Sequence, residues 1–349
     1  MKCSIIIRSL LGLLTTTFVA ATPNPIAGSD TVVVRDPSIW YNSGLGKYFV
    51  FSTDNNIAIW TSSAITGPWT NVGSVLSSCS IIDLPGNCNL WAPDINFIDG
   101  LYTLYYAISS LGSQNSAIGV ATSPSMMPGT WTDLGEVISS VTGDVFNAID
   151  PNIIDDTVGL QLTFGSYWDG IYQVGLYPGV NDQASPTPGT HLAGYSGRPA
   201  EAGFVYKPSS QPYYYGFFSD GITPLIGATS RPPAGEEYKV LVGRGADGQG
   251  PFYDELGNEI TLDLNPPTGT LVLGSHDNVY APGGKSRFRQ SHNLLIRLSF
   301  VGQSIFADPV SGRDVIVYHY VKLSDPIGGP SYLGINYLDF SSGWPVVVS

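Results

Sequence analysis

Three short acidic motifs stand beside apolar, strand-like runs in this chain. They are Arg-Asp-Pro-Ser at residues 35–38, Asn-Ala-Ile-Asp-Pro-Asn at 147–152 and Pro-Ala-Glu-Ala-Gly-Phe at 199–204, with a related Leu-Trp-Ala-Pro-Asp at 90–94. The successive steps from Asp36 to Asp94, from Asp94 to Asp150 and from Asp150 to Glu201 are 58, 56 and 51 residues. A carboxyl group that recurs at the start of successive β-units predicts a radial fold in which these groups converge. Converging carboxylates are the usual means of breaking a glycosidic bond.

The composition predicts many short strands joined by tight turns. Only 12% of the 349 residues are charged, while 41 are Gly, 26 are Pro, 20 are Tyr and 14 are Phe, and no stretch shows sustained helical amphipathicity. The formal charge of −13 argues against a nucleic-acid partner, because phosphate binding needs a basic face. A Gly-x-Gly-x-x-Gly match at residues 243–248 is not expected to bind a dinucleotide, because the Gln-Gly-Pro that follows cannot open a helix.

The strand-like runs fall into four similar units and a less regular fifth. The predicted strands are at residues 38–41, 47–52 and 57–61, then 95–98, 102–108 and 117–122, then 152–154, 160–166 and 171–176, then 204–206, 213–219 and 238–243, and finally 315–321 and 334–340. Units of about 50–60 residues with about four strands each are typical of a β-propeller. We therefore predict an all-β, five-bladed β-propeller, with an array of β-sandwiches as the alternative.

The first 21 residues have the pattern of a secretory signal peptide. Basic residues precede an apolar stretch that ends in small residues. This stretch is too short and too interrupted for a membrane anchor, so we expect no membrane partner and a secreted, extracellular single domain over residues 22–349. Cys79 and Cys88 would then remain as an even pair, which favours a disulfide over two free thiols. No oligomerisation signal is found, so a monomer is expected.

The acidic motifs at 35–38, 90–94 and 147–152 occur together with Gly-Ser-Gln-Asn-Ser-Ala-Ile-Gly at 112–119 and Phe-Gly-Ser-Tyr-Trp at 164–168. In this combination they resemble glycoside hydrolase family 43, and within it the fungal endo-1,5-α-L-arabinanases. The resemblance implies a five-bladed propeller. It also implies a hydrolase that inverts the anomeric carbon and cuts internal α-1,5 linkages of its polysaccharide partner, arabinan.

The resemblance implies catalytic roles for three carboxyl groups. Matching motifs place the general base at Asp36, the group that tunes the acid and orients substrate at Asp150, and the general acid at Glu201. An inverting hydrolase needs one carboxylate to deprotonate water and one carboxylic acid to protonate the leaving oxygen, about 6.5–9.5 Å apart. Taken singly, Asp36 and Asp150 could be turn residues. Asp94 is expected to be structural or to orient substrate.

Four further residues are assigned to substrate binding by the same motifs. Trp91 matches a wall of the sugar site, where its ring would offer an apolar face to a furanose. Asn115, Asn147 and Ser166 fall in motifs that line the cleft of the family.

No cofactor is expected to be required, and the metal content is unknown. Many relatives hold a calcium or sodium ion in the pore beside a His that follows a Gly-Pro-Gly run. Here Gly284 stands in that place, so only a water-coordinated ion remains open. The four His residues lack paired metal-ligand spacing, and His319 is expected to be a packed residue.

Residues 285–302 are foreign to their surroundings. Four of the chain's 15 basic residues lie there, and removing the segment joins Gly284 directly to Gln303, which is how fungal relatives continue. We interpret the segment as a retained intron in the predicted gene product. The alternative is a surface loop with a basic recognition patch.

Two other functions stay open at this point. One is an exo-acting arabinofuranosidase or xylosidase of the same family, which would need one end of the cleft closed. The other is a carbohydrate-binding propeller with impaired catalysis.

Overall fold

Short antiparallel strands make up most of the described chain, which comprises residues 21–222, 227–283 and 303–349 of the computed structural model. A single 3₁₀ turn, Ser29–Thr31, precedes the first strand. The strands form five separate sheets, so the predicted five-bladed β-propeller is confirmed. Within the described ranges, no helix has the length and apolar character to cross a membrane. The predicted signal peptide lies outside these ranges except for its last residue, and its boundary stays a prediction.

Each of the first four sheets is a four-stranded blade whose strands follow one another in chain order. Blade 1 comprises β1 (Ser38–Asn42), β2 (Lys47–Ser52), β3 (Ala58–Ser62) and β4 (Thr70–Ser74). Blade 2 comprises β5 (Trp91–Ile98), β6 (Leu101–Ile108), β7 (Ser116–Ser123) and β8 (Thr132–Ser140). Blade 3 comprises β9 (Asn152–Asp156), β10 (Gly159–Phe164), β11 (Ile171–Gly175) and β12 (Thr190–Ala193). Blade 4 comprises β13 (Ala200–Tyr206), β14 (Tyr214–Asp220), β15 (Lys239–Gly245) and β16 (Thr270–Leu273).

The fifth blade has an inner strand made of two pieces. It comprises β17 (Val279–Gly283), β18 (Ser304–Asp308), β19 (Arg313–Lys322), β20 (Ser331–Asp339) and β21 (Val346–Val348). Both β17 and β18 pair with β19, with Gly283 opposite His319 and Ser304 opposite Val317. The two pieces therefore lie end to end, although 20 residue positions separate Gly283 from Gln303 along the chain. The predicted insertion itself lies outside the described residues.

The ring of blades closes at both its inner and its outer edge. Around the axis, β1 contacts β5, β5 contacts β9, β9 contacts β13, β13 contacts β18, and β18 contacts β1. At the periphery the N-terminal segment runs along β20, where Val34 N–H donates to Ser331 O and Leu333 N–H donates to Val32 O. The start of the described chain is thus tied to the last blade, which fixes the ring at five blades.

Each blade is buried on both faces because it packs between two others. Five apolar clusters fill the five gaps between neighbouring blades. Phe49 and Phe51 of blade 1, for example, pack with Leu104 and Tyr106 of blade 2. Truncating one of these buried rings to alanine is expected to cost about 3–5 kcal/mol. Rigid packing on both faces holds the inner strands in place around the axis.

The same backbone irregularity begins the inner strand of every blade. At this point two residues of the inner strand oppose one residue of its neighbour, as between the Trp91–Ala107 and Asp94–Tyr105 pairs. The first of the two residues has a left-handed φ in all five blades: Asp36 (50°), Ala92 (47°), Asp150 (65°), Ala202 (57°) and Ala281 (50°). Such bulges bend a strand and re-aim its side chains. In blades 2 and 4 the inner strand continues through this bulge to Trp91 and Ala200, four residues earlier than predicted, because Pro93 and Gly203 lie in the bulge.

Side chains two residues after the left-handed position bridge successive blades. Ser38 Oγ accepts a hydrogen bond from Ile95 N–H (3.2 Å), and Asp94 Oδ2 accepts one from Ile153 N–H (2.7 Å). Asn152 Oδ1 accepts one from Val205 N–H (2.8 Å). The chain of hydrogen bonds sets the height of blades 1 to 4 relative to one another. Asp94 is therefore part of the framework around the axis.

Candidate active site

Two of the three predicted acids line a small pocket at the end of the axis where the inner strands begin, and the third lies next to its wall. Asp36 and Asp150 both line a small pocket there, together with Ala202, which directly follows Glu201. Asp36, Asp150 and Glu201 are only 2%, 3% and 0% exposed. The pocket has a volume of about 20 Å³, which is the space that one water molecule needs. The pocket thus brings together Asp36, Asp150 and Ala202 from blades 1, 3 and 4, which are up to 166 positions apart in the chain.

Asp36 is held from two sides. Thr53 Oγ1 donates a short hydrogen bond to Asp36 Oδ2 and in turn accepts one from Ala92 N–H (2.9 Å). On the other side, Asp36 N–H donates to His319 Nδ1 (3.1 Å), and the same ring nitrogen lies 3.6 Å from Asp36 Oδ1. The sequence expectation of a merely packed His319 is therefore too weak, because the ring reaches from blade 5 to the predicted base. Neither contact could be inferred from spacing along the chain.

The guanidinium group of Arg35 is a buried cation close to Asp36. Arg35 directly precedes Asp36 and is 6% exposed. Burial lowers the pKa of its guanidinium, and the negative charges of Asp36 and Asp54 oppose that change. Burial in turn raises the pKa of Asp54, while the charge of Arg35 opposes the rise. A positive charge thus stands behind Asp36 and favours the ionised carboxylate that a base requires.

Glu201 is fully buried directly before the pocket residue Ala202, and its carboxyl group contacts blade 3. Ser166 Oγ donates a hydrogen bond to Glu201 Oε2 (2.8 Å), and the main chains of the two residues also form an isolated β-bridge. On the side of blade 4, burial and then the negative charge of Glu201 raise the pKa of Tyr238 well above its usual value. Tyr238 is thus a neutral phenol beside the carboxyl group. The structure places Ser166 in contact with the predicted acid, and its contact with the sugar stays a prediction.

Asp150 is positioned by the loop that precedes β9. Ser140 Oγ accepts a hydrogen bond from Ala148 N–H (2.9 Å) and donates to Gln114 O (2.7 Å), and it also lies 3.4 Å from Asn147 Oδ1. Gln114 fixes the same loop through Phe146 O (2.8 Å). Asn147 is 3% exposed and does not line the pocket. In this structure it belongs to the support of the loop, and Gln114 is a supporting residue that the sequence analysis did not identify.

Asp94 shares the pocket but has a different environment. Its Oδ2 accepts hydrogen bonds from Ile153 N–H and from Asn96 Nδ2 (2.8 Å). Burial raises the pKa of Asp94 to about 7, and the hydrogen bonds from Ile153, Asn96 and Asn152 limit the rise. Of the two roles considered for Asp94, structural support and orientation of the substrate, this environment supports the structural role.

Trp91 connects the strands that carry the acids. It is 3% exposed and packs with Ala92, Ala107, Ile149 and Ala202. Ile149 directly precedes Asp150, and Ala202 directly follows Glu201. With so little of the ring accessible, the broad stacking face expected for a sugar is not open in this structure, and Trp91 acts as packing between blades 2, 3 and 4.

Asn115 lies farther from the axis than the sequence suggests. It follows the turn between β6 and β7, is exposed, and accepts hydrogen bonds at Oδ1 from Thr142 N–H (3.0 Å) and Oγ1 (3.3 Å). It lines a groove of about 1020 Å³ on blade 2, between the loops around residues 81–85 and Val141. The structure therefore does not bring Asn115 to the pocket of the acids.

The predicted disulfide is confirmed. Cys79 and Cys88 are bonded, with their Cα atoms 4.1 Å apart. The bond constrains the loop before Trp91, on the same end of the propeller as the acids. For the pore ion, no three His, Cys, Asp or Glu side chains of residues 21–222, 227–283 and 303–349 come together to hold a metal. Gly284 lies outside those ranges, and the ion stays a prediction.

The chain is similar in sequence to fungal enzymes over nearly its whole length. The probable arabinan endo-1,5-alpha-L-arabinosidase A of Aspergillus flavus is 43% identical over 338 residues, which cover 97% of this chain and 98% of the relative. The arabinan endo-1,5-alpha-L-arabinosidase A of Aspergillus aculeatus is 41% identical over 326 residues, which cover 93% and 94%.

Solved structures of arabinanases are similar to this chain in fold. An exo-1,5-alpha-L-arabinanase from a bovine ruminal metagenomic library superposes with a TM-score of 0.74 at 26% identity, covering 93% of this chain and 99% of its own. The Cellvibrio cellulosa alpha-L-arabinanase in complex with arabinohexaose also gives 0.74 at 26% identity, covering 91% and 96%. The profile of Glycosyl hydrolases family 43 matches residues 22–296. With its five blades and its axial carboxyl groups, this chain belongs to glycosyl hydrolase family 43.

Proposed function

We propose that this protein is a secreted, inverting glycoside hydrolase that cleaves internal α-1,5-L-arabinofuranosidic linkages of arabinan. The observation that carries the proposal is that Asp36 and Asp150 line one axial pocket, whose wall includes Ala202, the residue directly after the buried Glu201. The names of the fungal relatives and the arabinohexaose complex of a structural neighbour support arabinan as the substrate.

Asp36 is the general base in this mechanism. Its carboxylate removes a proton from the water that attacks the anomeric carbon. Thr53 and His319 hold it against movement, and the charge of Arg35 favours its ionised form. The small pocket beside Asp36 and Asp150 has the size required for that water.

Glu201 is the general acid. It donates its proton to the glycosidic oxygen as the bond breaks. Asp150, whose charge would lie near this group, disfavours ionisation of the acid by like-charge repulsion. Ser166 and Tyr238 on either side of Glu201 keep the carboxyl group aligned. Inversion follows because base and acid act from opposite faces of the sugar.

An endo mode is supported by an open groove on blade 2, away from the pocket of the acids. The groove contains Asn115 and has a volume of about 1020 Å³, which gives distant sugars of a long chain room to bind. We assign Asn115 to contacts with distant sugars there, and Trp91, Asn147 and Ser166 to support of the first subsite. The exo alternative keeps its place because one neighbour of similar fold is an exo-1,5-alpha-L-arabinanase.

The proposal is tested by digesting linear arabinan with the wild-type protein and with Glu201→Gln. Glutamine has the same shape as the acid but cannot donate the proton, so turnover should fall by about 10²–10⁴-fold. The glutamine variant should still bind arabinan, which affinity electrophoresis measures. Unchanged turnover would refute the acid assignment, and arabinan binding without any wild-type hydrolysis would favour the impaired propeller.

Product sizing in the same digest distinguishes the modes of attack. Oligosaccharides of mixed length at early times are expected for an endo enzyme. A single released monosaccharide or short product would establish the exo alternative. An inverting mechanism predicts a product whose anomeric proton signal, followed by NMR during the reaction, first has the β configuration.

A further inference from the structure

His319 is the most distant side chain, in sequence, that contacts the axial carboxyl groups among the described residues. It lies in β19 of blade 5, opposite Gly283 of β17. Its ring crosses the boundary between blades 5 and 1 to reach Asp36, which is 283 positions away in the chain. The two side chains are only 4% and 1% exposed, so water does not weaken the contact.

The direction of the hydrogen bond defines the state of the imidazole. Asp36 N–H is the donor and His319 Nδ1 is the acceptor, at 3.1 Å. An accepting Nδ1 carries a lone pair, so the neutral ring has its proton on Nε2. Protonation of Nδ1 would destroy this hydrogen bond. The ring therefore acts on the main chain of Asp36 through an accepting Nδ1.

Equivalent positions in other blades show what is particular to this contact. In blade 2, Ala92 N–H donates to Thr53 Oγ1 (2.9 Å), and in blade 5, Ala281 N–H donates to Ser275 Oγ (3.0 Å). A hydroxyl group is sufficient to hold a left-handed residue where that residue is alanine. In blade 1 the residue is an aspartate, and the acceptor is an imidazole that also comes within 3.6 Å of the carboxylate.

We propose that His319 is a positioning residue for catalysis. Its Nδ1 holds the main chain of Asp36 in the left-handed conformation (φ 50°) that directs the carboxylate into the pocket. Thr53 Oγ1 donates a hydrogen bond to the carboxylate at Oδ2, so the main chain and the side chain of the base are each fixed at one point. The proposal rests on the proposed function, in which Asp36 is the base. Displacing a catalytic group by about 1 Å can cost about 10²-fold in rate.

Three substitutions of His319 separate this role from simple packing. Asn Oδ1 is as many bonds from Cα as His Nδ1 and can accept the same hydrogen bond, whereas the amide of Gln begins one bond farther out. His319→Ala should lower kcat on linear arabinan by about 10–100-fold with KM changed less than about threefold. His319→Asn should restore kcat to within about fivefold of wild type, and His319→Gln should remain as slow as the alanine variant.

The variants are compared by their thermal transitions and circular dichroism to establish that each is folded. If His319→Ala does not fold, the difference in kcat between the asparagine and glutamine variants decides. Wild-type kcat in His319→Ala, or equal kcat in the asparagine and glutamine variants, would overturn the proposal.

Asp36→Ala is assayed beside them. An active Asp36→Ala variant means that the proposed base is wrong. An inactive Asp36→Ala variant combined with a fully active His319→Ala variant means that only the positioning role is wrong.

Discussion

Blades 1 and 5 begin their inner strands with the same backbone but with different chemistry. Asp36 and Ala281 both have a φ of 50° and both follow the bulge pattern of the other blades. Asp36 lies in a polar setting made by Thr53 and His319. Ala281 packs among Tyr238, Tyr280 and Val321. The bulge therefore belongs to the propeller, and catalysis depends on which side chain stands on it and what surrounds it.

The conformational energy of the left-handed residues shows that the fold, and not catalysis, imposes this backbone. A left-handed conformation costs a residue other than glycine about 1–2 kcal/mol, although aspartate accepts it more readily than most. Ala92, Ala202 and Ala281 have no catalytic group to justify that cost, yet they adopt it. Packing of the blades around the axis must therefore impose the conformation. An active site that uses Asp36 and Asp150 takes advantage of two places that the fold already directs to the axis.

Replacing Asp36 by alanine should make blade 1 resemble blade 5. We expect kcat on linear arabinan to fall by about 10²–10⁴-fold, because the base is lost while the left-handed backbone is one that alanine already adopts elsewhere in the ring. The free energy of unfolding should change by less than about 2 kcal/mol. Kinetics and urea denaturation of the same preparation measure both quantities.

Asp36→Asn is the matched control, because it keeps the shape and the hydrogen bond to Thr53. It should be as inactive as the alanine variant. Loss of folding in both variants would show that the aspartate itself supports blade 1, and the contrast with blade 5 would then fail.

The reverse exchange, Ala281→Asp, should damage stability instead of activity. The new carboxylate would be buried beside Tyr238, Tyr280 and Val321, and the Ser275 hydroxyl there already accepts a hydrogen bond from the main-chain N–H of residue 281. An uncompensated buried charge costs about 3–5 kcal/mol, and we expect the urea midpoint at pH 7 to fall accordingly. Ala281→Asn has a similar shape without the charge and should lose less. Equal stability of the aspartate variant and wild type would mean that the surroundings of the two bulges do not differ as described.

Asp94 offers a smaller effect that depends on pH. Burial raises its pKa from 3.8 to about 7, so its stabilising contribution is complete below about pH 4 and is lost as the pH rises to about 7. Asp94→Asn keeps an acceptor for Ile153 and Asn96 but does not titrate. Between pH 4 and pH 8, the free energy of unfolding of the wild type should therefore fall relative to that of the variant by about 2–4 kcal/mol. Asp99→Asn, at an exposed position, is the control with the same charge change. If the stability of Asp94→Asn depends on pH in the same way as that of the wild type, the raised pKa of Asp94 is contradicted.

How far the sequence predicted this arrangement can be judged at the bulge. The repeated units predicted five blades, and the resemblance to family 43 selected Asp36, Asp150 and Glu201 among the four recurring carboxyl groups. A further signal was present, because the left-handed residue is followed by Pro in blades 1, 2, 3 and 5 and by Gly203 in blade 4. The partners of the acids carried no such signal. His319 is 283 positions and Thr53 is 17 positions from Asp36, and only closure of the ring decides that they meet.

Blade 5 also differs from blade 1 in that its inner strand is interrupted. Gly283 pairs with His319 and Ser304 with Val317, so only the place opposite Tyr318 remains between them, and Gln303 directly precedes Ser304. In β1 the corresponding residues are continuous. A strand that retains its register across an interruption does not need the interrupting residues for pairing.

Deletion of residues 284–302 should therefore produce the smallest effect of the four changes. Joining Gly283 to Gln303 fills the strand without an extra residue, and we expect a thermal transition within a few degrees of the full chain and kcat within about threefold. Deletion of 285–302 keeps Gly284, which would require one additional bulge in β17–β18, and its transition should not exceed that of the longer deletion. Loss of folding in both variants would show that the segment is integral to blade 5. Sequencing of the transcript complements this test, since cDNA that contains the codons for 285–302 removes the intron interpretation while leaving the structural expectation intact.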